Sequence, residues 1–141
     1  MSDRQGSAAP DESLEDLWWR AGSEEIGDEE ALELLALDVS EVTMALALNG
    51  ALSPLALKAI FARGGAPADA VTTNRNSPPE LKGLAPIGSH SDESVWRFAK
   101  DLKATNRQMR ALLDELHRSP RPGGPLLEDV WREIVSRHPS S

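Results

Sequence analysis

Apolar side chains recur along this chain at helical rather than strand spacing. Leu14, Leu17, Trp18 and Ala21 fall at i, i+3, i+4 and i+7. They follow Ser13-Leu-Glu-Asp16, a hydroxyl with an acid three residues later, which is the capping signature of a helix start. Gly22 closes that helix. Trp18 is expected on its apolar face, with Trp19 pointing off it. A second helix is predicted from Asp28, where the carboxylates of Asp28, Glu29 and Glu30 suit the positive end of a helix dipole and Leu32, Leu35, Ala36 and Val39 repeat the spacing. Ahead of both, residues 1–12 are too polar to offset their ordering entropy by burial, so a disordered tail is expected there.

From residue 38 onward the pattern repeats. Ser53-Pro-Leu-Ala-Leu57-Lys-Ala-Ile60 aligns with Ser77-Pro-Pro-Glu-Leu81-Lys-Gly-Leu84 at an offset of 24, and Thr105-Asn-Arg-Gln-Met109-Arg-Ala-Leu112 aligns with the second copy at an offset of 28. Each copy opens on a hydroxyl residue placed to cap a helix. Pro54 and Pro78 occupy the first helical position, where a missing N–H costs nothing. Glu80 and Gln108 are spaced to complete capping boxes with Ser77 and Thr105. A short apolar segment and a turn precede each copy: Val42–Asn49, Ala68–Asn74 and Val95–Asp101. The unit is therefore helix, turn, helix. Units of this size cannot bury a face alone and must stack, with about three needed for stability.

The order of an apolar segment, an Asn, Ser/Thr-Pro-x-x-Leu and then Leu-Ala resembles the leucine-rich repeat variant, an architectural relative of the HEAT-like helical solenoids. Residues 38–61, 68–85 and 94–113 carry the resemblance, about half of the chain, and the match is best over Ala70–Ala85. Departures are the Arg after Val, present only as Arg97 behind Val95-Trp96, and the third copy's Asn106 in place of Pro. One member type of that family holds an iron–sulfur cluster on cysteines, and this chain has no cysteine.

After Arg118, the run Ser-Pro-Arg-Pro-Gly-Gly-Pro125 breaks any helix and reads as a linker over residues 118–125. Beyond it, Leu127, Val130, Trp131 and Ile134 form a last amphipathic stripe of about three turns, marginal by itself and in need of a surface. It either folds back onto the last repeat or docks in trans through Trp131.

Composition narrows the chemistry. Of 141 residues, 40% are hydrophobic, but only four Trp and two Phe are aromatic, so aliphatic side chains must fill the core. The absence of cysteine excludes disulfides, thiolate metal sites and a cysteine nucleophile. No apolar run is long enough to span a bilayer, and the N-terminus has no signal-peptide core, so a cytoplasmic location without membrane contact is expected. The net charge of −8 opposes general nucleic-acid binding, and it is unevenly distributed: residues 1–45 carry −11 and residues 46–141 carry +3. Within the latter, Arg97, Lys100, Lys103, Arg107 and Arg110 recur at steps of 3, 3, 4 and 3, a basic stripe divided by the helix start at Thr105. His90, His117 and His138 are scattered without metal-ligand spacing and are expected in solvent. Phosphate-loop, dinucleotide and nucleophile-elbow motifs are missing, so no catalytic residue, metal or cofactor is predicted.

These readings predict an all-α protein: a short right-handed stack of helical repeats over residues 13–117, with an N-terminal helical hairpin and a tethered C-terminal helix within residues 126–141. The expected function is non-catalytic, an adaptor or regulator that presents a repeat surface to a protein partner. Candidate contacts are Trp19, Trp131 and the stripe Arg97, Lys100, Lys103, Arg107 and Arg110; Trp18 and Trp96 are expected in core or capping positions. The alternative is a nucleic-acid-related regulator, which contacts phosphates through the basic stripe or imitates them with its acidic front.

Overall fold

Residues 13–140 are described by the computed structural model of the chain, and the tail expected at residues 1–12 lies outside them. Among the described residues there are nine α-helices and no strand: α1 (Leu14–Ala21), α2 (Asp28–Ala36), α3 (Ser40–Leu48), α4 (Pro54–Arg63), α5 (Gly65–Thr72), α6 (Pro79–Lys82), α7 (Asp92–Asp101), α8 (Asn106–Arg118) and α9 (Leu127–Arg137). A short 3-10 turn covers Ile87–Ser89. Their starts follow the punctuation in the sequence. The Oγ of Ser13 and of Ser53 accepts the N–H of Asp16 and of Ala56, and Thr105 and Gln108 complete a reciprocal capping box.

The helices form an all-α stack of pairs. α1, α3 and α5 lie side by side as the first helices of successive units, and α2 packs beside α4. Two adjacent glycines at positive φ, Gly64 and Gly65, turn α4 directly into α5, a backbone path closed to side chains with a Cβ. One core cluster, built on Leu34, Leu46, Leu57, Ile60 and Val71, serves α1–α6. A second, built on Val95, Phe98, Leu112, Leu116, Leu127 and Ile134, serves α7–α9.

Side-chain amides bind the first three units together. Each α-helix ends with carbonyls that have no partner inside the helix. At the end of α1, the carbonyls of Ala21 and Ser23 accept from Asn49 Nδ2 at 2.9 and 2.8 Å. At the end of α3, Ala47 and Asn49 accept from Asn74 Nδ2 at 2.9 and 3.0 Å. The Oδ1 of each Asn meanwhile accepts the N–H two residues on, Ala51 and Asn76. The ladder stops after α5. The fourth pair has Leu102-Lys103-Ala104 in its turn, and the last carbonyls of α5 are met locally, Val71 by Ser77 Oγ and Ala70 by Thr73 Oγ.

Three expectations change here, and one open choice is decided. The inward face of α2 is Ala31, Leu34 and Leu35, while Leu32 and Ala36 are exposed; α2 packs against α3 and α4 one step around from the predicted stripe. The Ser77–Glu80 capping box does not form, because Ser77 bonds to Val71 instead. Pro78 is the N-cap of the single turn α6, and Glu80 pairs with Lys58 at 3.3 Å.

The third change and the open choice concern the C-terminal quarter. Residues 118–125, read as a linker, form a strap bonded to the loop before α7: Ile87 N–H to Pro125 O and Gly88 N–H to Gly123 O, both at 2.8 Å, with Leu127 N–H to Ala85 O at 2.9 Å. Gly88 lies so close beneath it that a Cβ would meet Pro120 O at 1.8 Å. Of the two alternatives for the C-terminal helix, the chain adopts the folded-back one. α9 packs on α8, with Trp131 edge-on to Phe98 at 6.0 Å and 89°. Gln108 holds its far end through the carbonyl of His138 at 2.6 Å.

Candidate functional site

Where α1 and α3 run side by side, the surface opens into an apolar groove of about 840 Å³. Trp18 and Trp19 form one wall, Met44, Ala45 and Leu48 the other, and Ala51 from the turn after α3 closes the floor. The α1–α3 spacing is set by Asn49, which ties the end of α1 to the turn below α3. Beyond that turn Arg75 crosses over Gly50, where a Cβ would meet its Nε at 2.6 Å. It is anchored by Glu93 at 3.6 Å. Carboxylates of Glu24 and Glu41 stand among the lining residues.

The apolar side chains here are not spent on the core. Trp19 is 64% exposed and Leu48 66% exposed, and Trp18 is itself nearly half exposed. That corrects the expectation for Trp18: the two indoles pack edge to face at 5.3 Å and 79°, and Leu17 with Ala21 takes the core side of α1. Trp19 is off the apolar face, as expected. Leu48 and Met44 gave no distinguishing signal in the sequence, since apolar residues within a repeat helix read as core.

The other candidate residues do not join this site. Trp131 is half-buried on Phe98 within the second core cluster. Trp96, expected in the core or a cap, is exposed and lies under the Lys100 ammonium at 4.6 Å. Arg97 bonds to Glu93 at 3.0 Å and to Asn76 at 3.2 Å. Lys103 stands between α7 and α8 at φ 59°, while Arg107 and Arg110 line a separate cleft beside His138. The helix break predicted at Thr105 thus places the basic residues on two helices and the turn between them.

A buried polar cluster lies where the two core clusters meet, and it was not expected. Lys82, His90 and Ser94 are all within 1% of full burial, which overturns the solvent position expected for His90. His90 Nε2 donates to the Lys82 carbonyl at 2.9 Å. Its Nδ1 therefore accepts from Ser94 Oγ at 3.0 Å, and Lys82 Nζ donates to the Ser94 carbonyl at 3.0 Å. Burial pushes the imidazole down to about 4, opposed by its bond to the Lys82 carbonyl and reinforced by the Lys82 charge. Burial likewise pushes the Lys82 ammonium down to about 8, against the attraction of Asp101. A Ser–His hydrogen bond has the outline of an activated nucleophile, but Ser94 is wholly enclosed. In this geometry the cluster ties α6 to α7 and the loop between them.

Among the described residues no group of three or more His, Asp or Glu side chains could hold a metal ion, and no helix is long and apolar enough to cross a membrane. Comparison of the chain with family models, with curated proteins and with solved structures returns no match.

Proposed function

We propose that the chain is a protein-interaction module that binds a partner through the groove between α1 and α3. The observation that carries this reading is the exposure of Trp18, Trp19 and Leu48 on one concave surface. Scattered apolar side chains on a surface are ordinary, but a contiguous set around a recess is the usual form of a binding site. Tryptophan is also the side chain most enriched at the energetic centre of interfaces. The stacked units provide a rigid support, because the Asn49 and Asn74 bonds fix successive helices in register. Architectural kinship with the leucine-rich repeat variant, drawn from the repeated Asn and Ser-Pro positions, belongs to the same proposal: such stacks present extended surfaces to partners.

Affinity recovery with the full chain as bait tests the reading, using Leu48→Asp and Trp19→Ala as paired controls. Both positions are about two-thirds exposed, so the fold should survive either change. A specific partner should be recovered by the wild-type chain and lost by both variants. Recovery of the same proteins by all three baits would remove the groove as the binding surface.

A further inference from the structure

We infer that the occupant of the α1–α3 groove is an amphipathic helical segment of another protein, with Lys or Arg flanking its apolar stripe. This rests on the groove being the interaction surface and adds the chemistry of what it receives. One side is the Trp18–Trp19 pair of α1, and the other is a face of α3 along which Met44 and Leu48 stand at i and i+4, with the adaptable thioether of Met44 among them. That form accepts a helix laid lengthwise with anchors at i, i+3 or i+4 and i+7.

The sign of the flanking charge follows from what surrounds the groove. Glu24 and Glu41 line it, and residues 13–48, which supply both walls, hold ten acids against the single base Arg20. Arg20 is directed to Glu30 at 2.9 Å and Glu33 at 3.8 Å. At the other end Arg75 also lines the groove, with its guanidinium paired to Glu93 at 3.6 Å. The groove is thus an apolar floor in a negative field, which favours a cationic partner in both encounter and register.

The same field disfavours the two occupants nearest to hand. Residues 1–12 bring Asp3, Asp11 and Glu12 against Arg4 and have one large apolar side chain, Met1, so they offer neither the charge nor the anchors. A second copy placed α1 against α1 would oppose Glu15, Asp16, Glu24 and Glu25 to themselves.

Calorimetric titration of the full chain with two designed helical peptides of about 18 residues, alike in their Leu/Trp stripe but flanked by Lys in one and Glu in the other, tests the inference. At low salt the Lys peptide should bind at least about tenfold more tightly, and the gap should narrow near ~0.5 M NaCl. Leu48→Asp should weaken both peptides, and the double variant Glu24→Lys/Glu41→Lys should shift preference toward the Glu peptide. Circular dichroism of each variant checks the fold, and Trp19→Ala supplies a second groove variant. Equal binding of the two peptides, still weakened by Leu48→Asp, would overturn the basic partner and leave the groove in place. Binding indifferent to both Leu48→Asp and Trp19→Ala would overturn the groove as well. A concentration-dependent dimer in sedimentation, abolished by Leu48→Asp, would identify a second copy as the occupant and overturn the inference.

Discussion

Asn49 and Asn74 show how one side chain can hold two repeats. Each amide spends both donors on carbonyls at the C-terminus of the preceding unit's first helix, and its oxygen on the next turn of its own. Removing the Asn74 amide leaves the buried Ala47 carbonyl without a donor, at roughly 1–3 kcal/mol before relaxation, while the Asn49 carbonyl keeps the Leu52 N–H at 3.1 Å. Asn74→Ala should therefore lower the unfolding free energy by about 2 kcal/mol. Asn74→Asp should cost at least as much, since a carboxylate would face two carbonyls. Urea unfolding of both beside the wild type checks this. Asn76→Ala gives a useful contrast: its contact with Leu52 is only partly buried, so its cost should be smaller.

His90 makes stability depend on pH in a defined window. With a folded value near 4 and an unfolded value near 6.5, the unfolded chain binds a proton between those limits that the folded chain does not. Stability is complete above about pH 6.5 and declines as pH falls toward 4, by about 3 kcal/mol as an upper figure. His90→Gln should flatten the difference between pH 6.5 and 4.5 in urea-unfolding midpoints. Lys82 acts at the alkaline end with the same sign: its folded value is depressed to about 8 from 10.5, so stability rises with pH across that interval. At the same repeat position Lys58 is exposed and paired with Glu80, and Arg110 is exposed. A cation recurs there in all three copies, and only the packing of α6 between the two core clusters encloses one of them.

Among the elements, the strap and the turn before α8 are the most sensitive to single changes. Gly88 permits the backbone of residues 120–123 to cross it, and a methyl group would overlap Pro120 O. Gly88→Ala should cost about 3 kcal/mol, and hydrogen exchange should show the loss concentrated in residues 119–137, where strap and α9 lift together. The turn behaves oppositely. Ala104 N–H bonds to Ala99 O and Lys103 N–H to Lys100 O, a Schellman closure of α7 with a lysine in the left-handed position at φ 59°. Lys103→Gly should stabilise the chain by about 1 kcal/mol, visible as a raised thermal midpoint.

Across the whole molecule, charge and packing divide the chain differently. The acidic excess lies in residues 1–45, whereas the two core clusters meet near α6. Of the basic residues of α7 and α8, Arg97 pairs with Glu93 and Arg118 with Glu115, both in their own half, and Arg63–Asp38 at 3.2 Å reaches back to the acidic front. The acidic front is thus largely left to repel itself. Raising NaCl from ~10 mM to ~0.5 M should shorten the reach of that repulsion to a few ångströms and raise the thermal midpoint by a few degrees. A midpoint unchanged or lowered by salt would show that local pairs such as Arg20–Glu30 outweigh the repulsion.

The amino-acid pattern by itself determined the helical class, most helix starts and the repeat. Caps, prolines and 3.6-residue spacing act within a few residues of themselves and need no tertiary partner. It also marked the Asn positions and Trp19. Only the tertiary structure decided which apolar residues remain outside the core. Leu48 and Leu46 are neighbours of the same type in one helix, and their fates depend on whether the open groove or the core cluster lies opposite. The same holds for Lys82 and His90, and for the Pro/Gly strap: burial and long-range hydrogen bonding are properties of neighbours far away in sequence, and no local spacing encodes them.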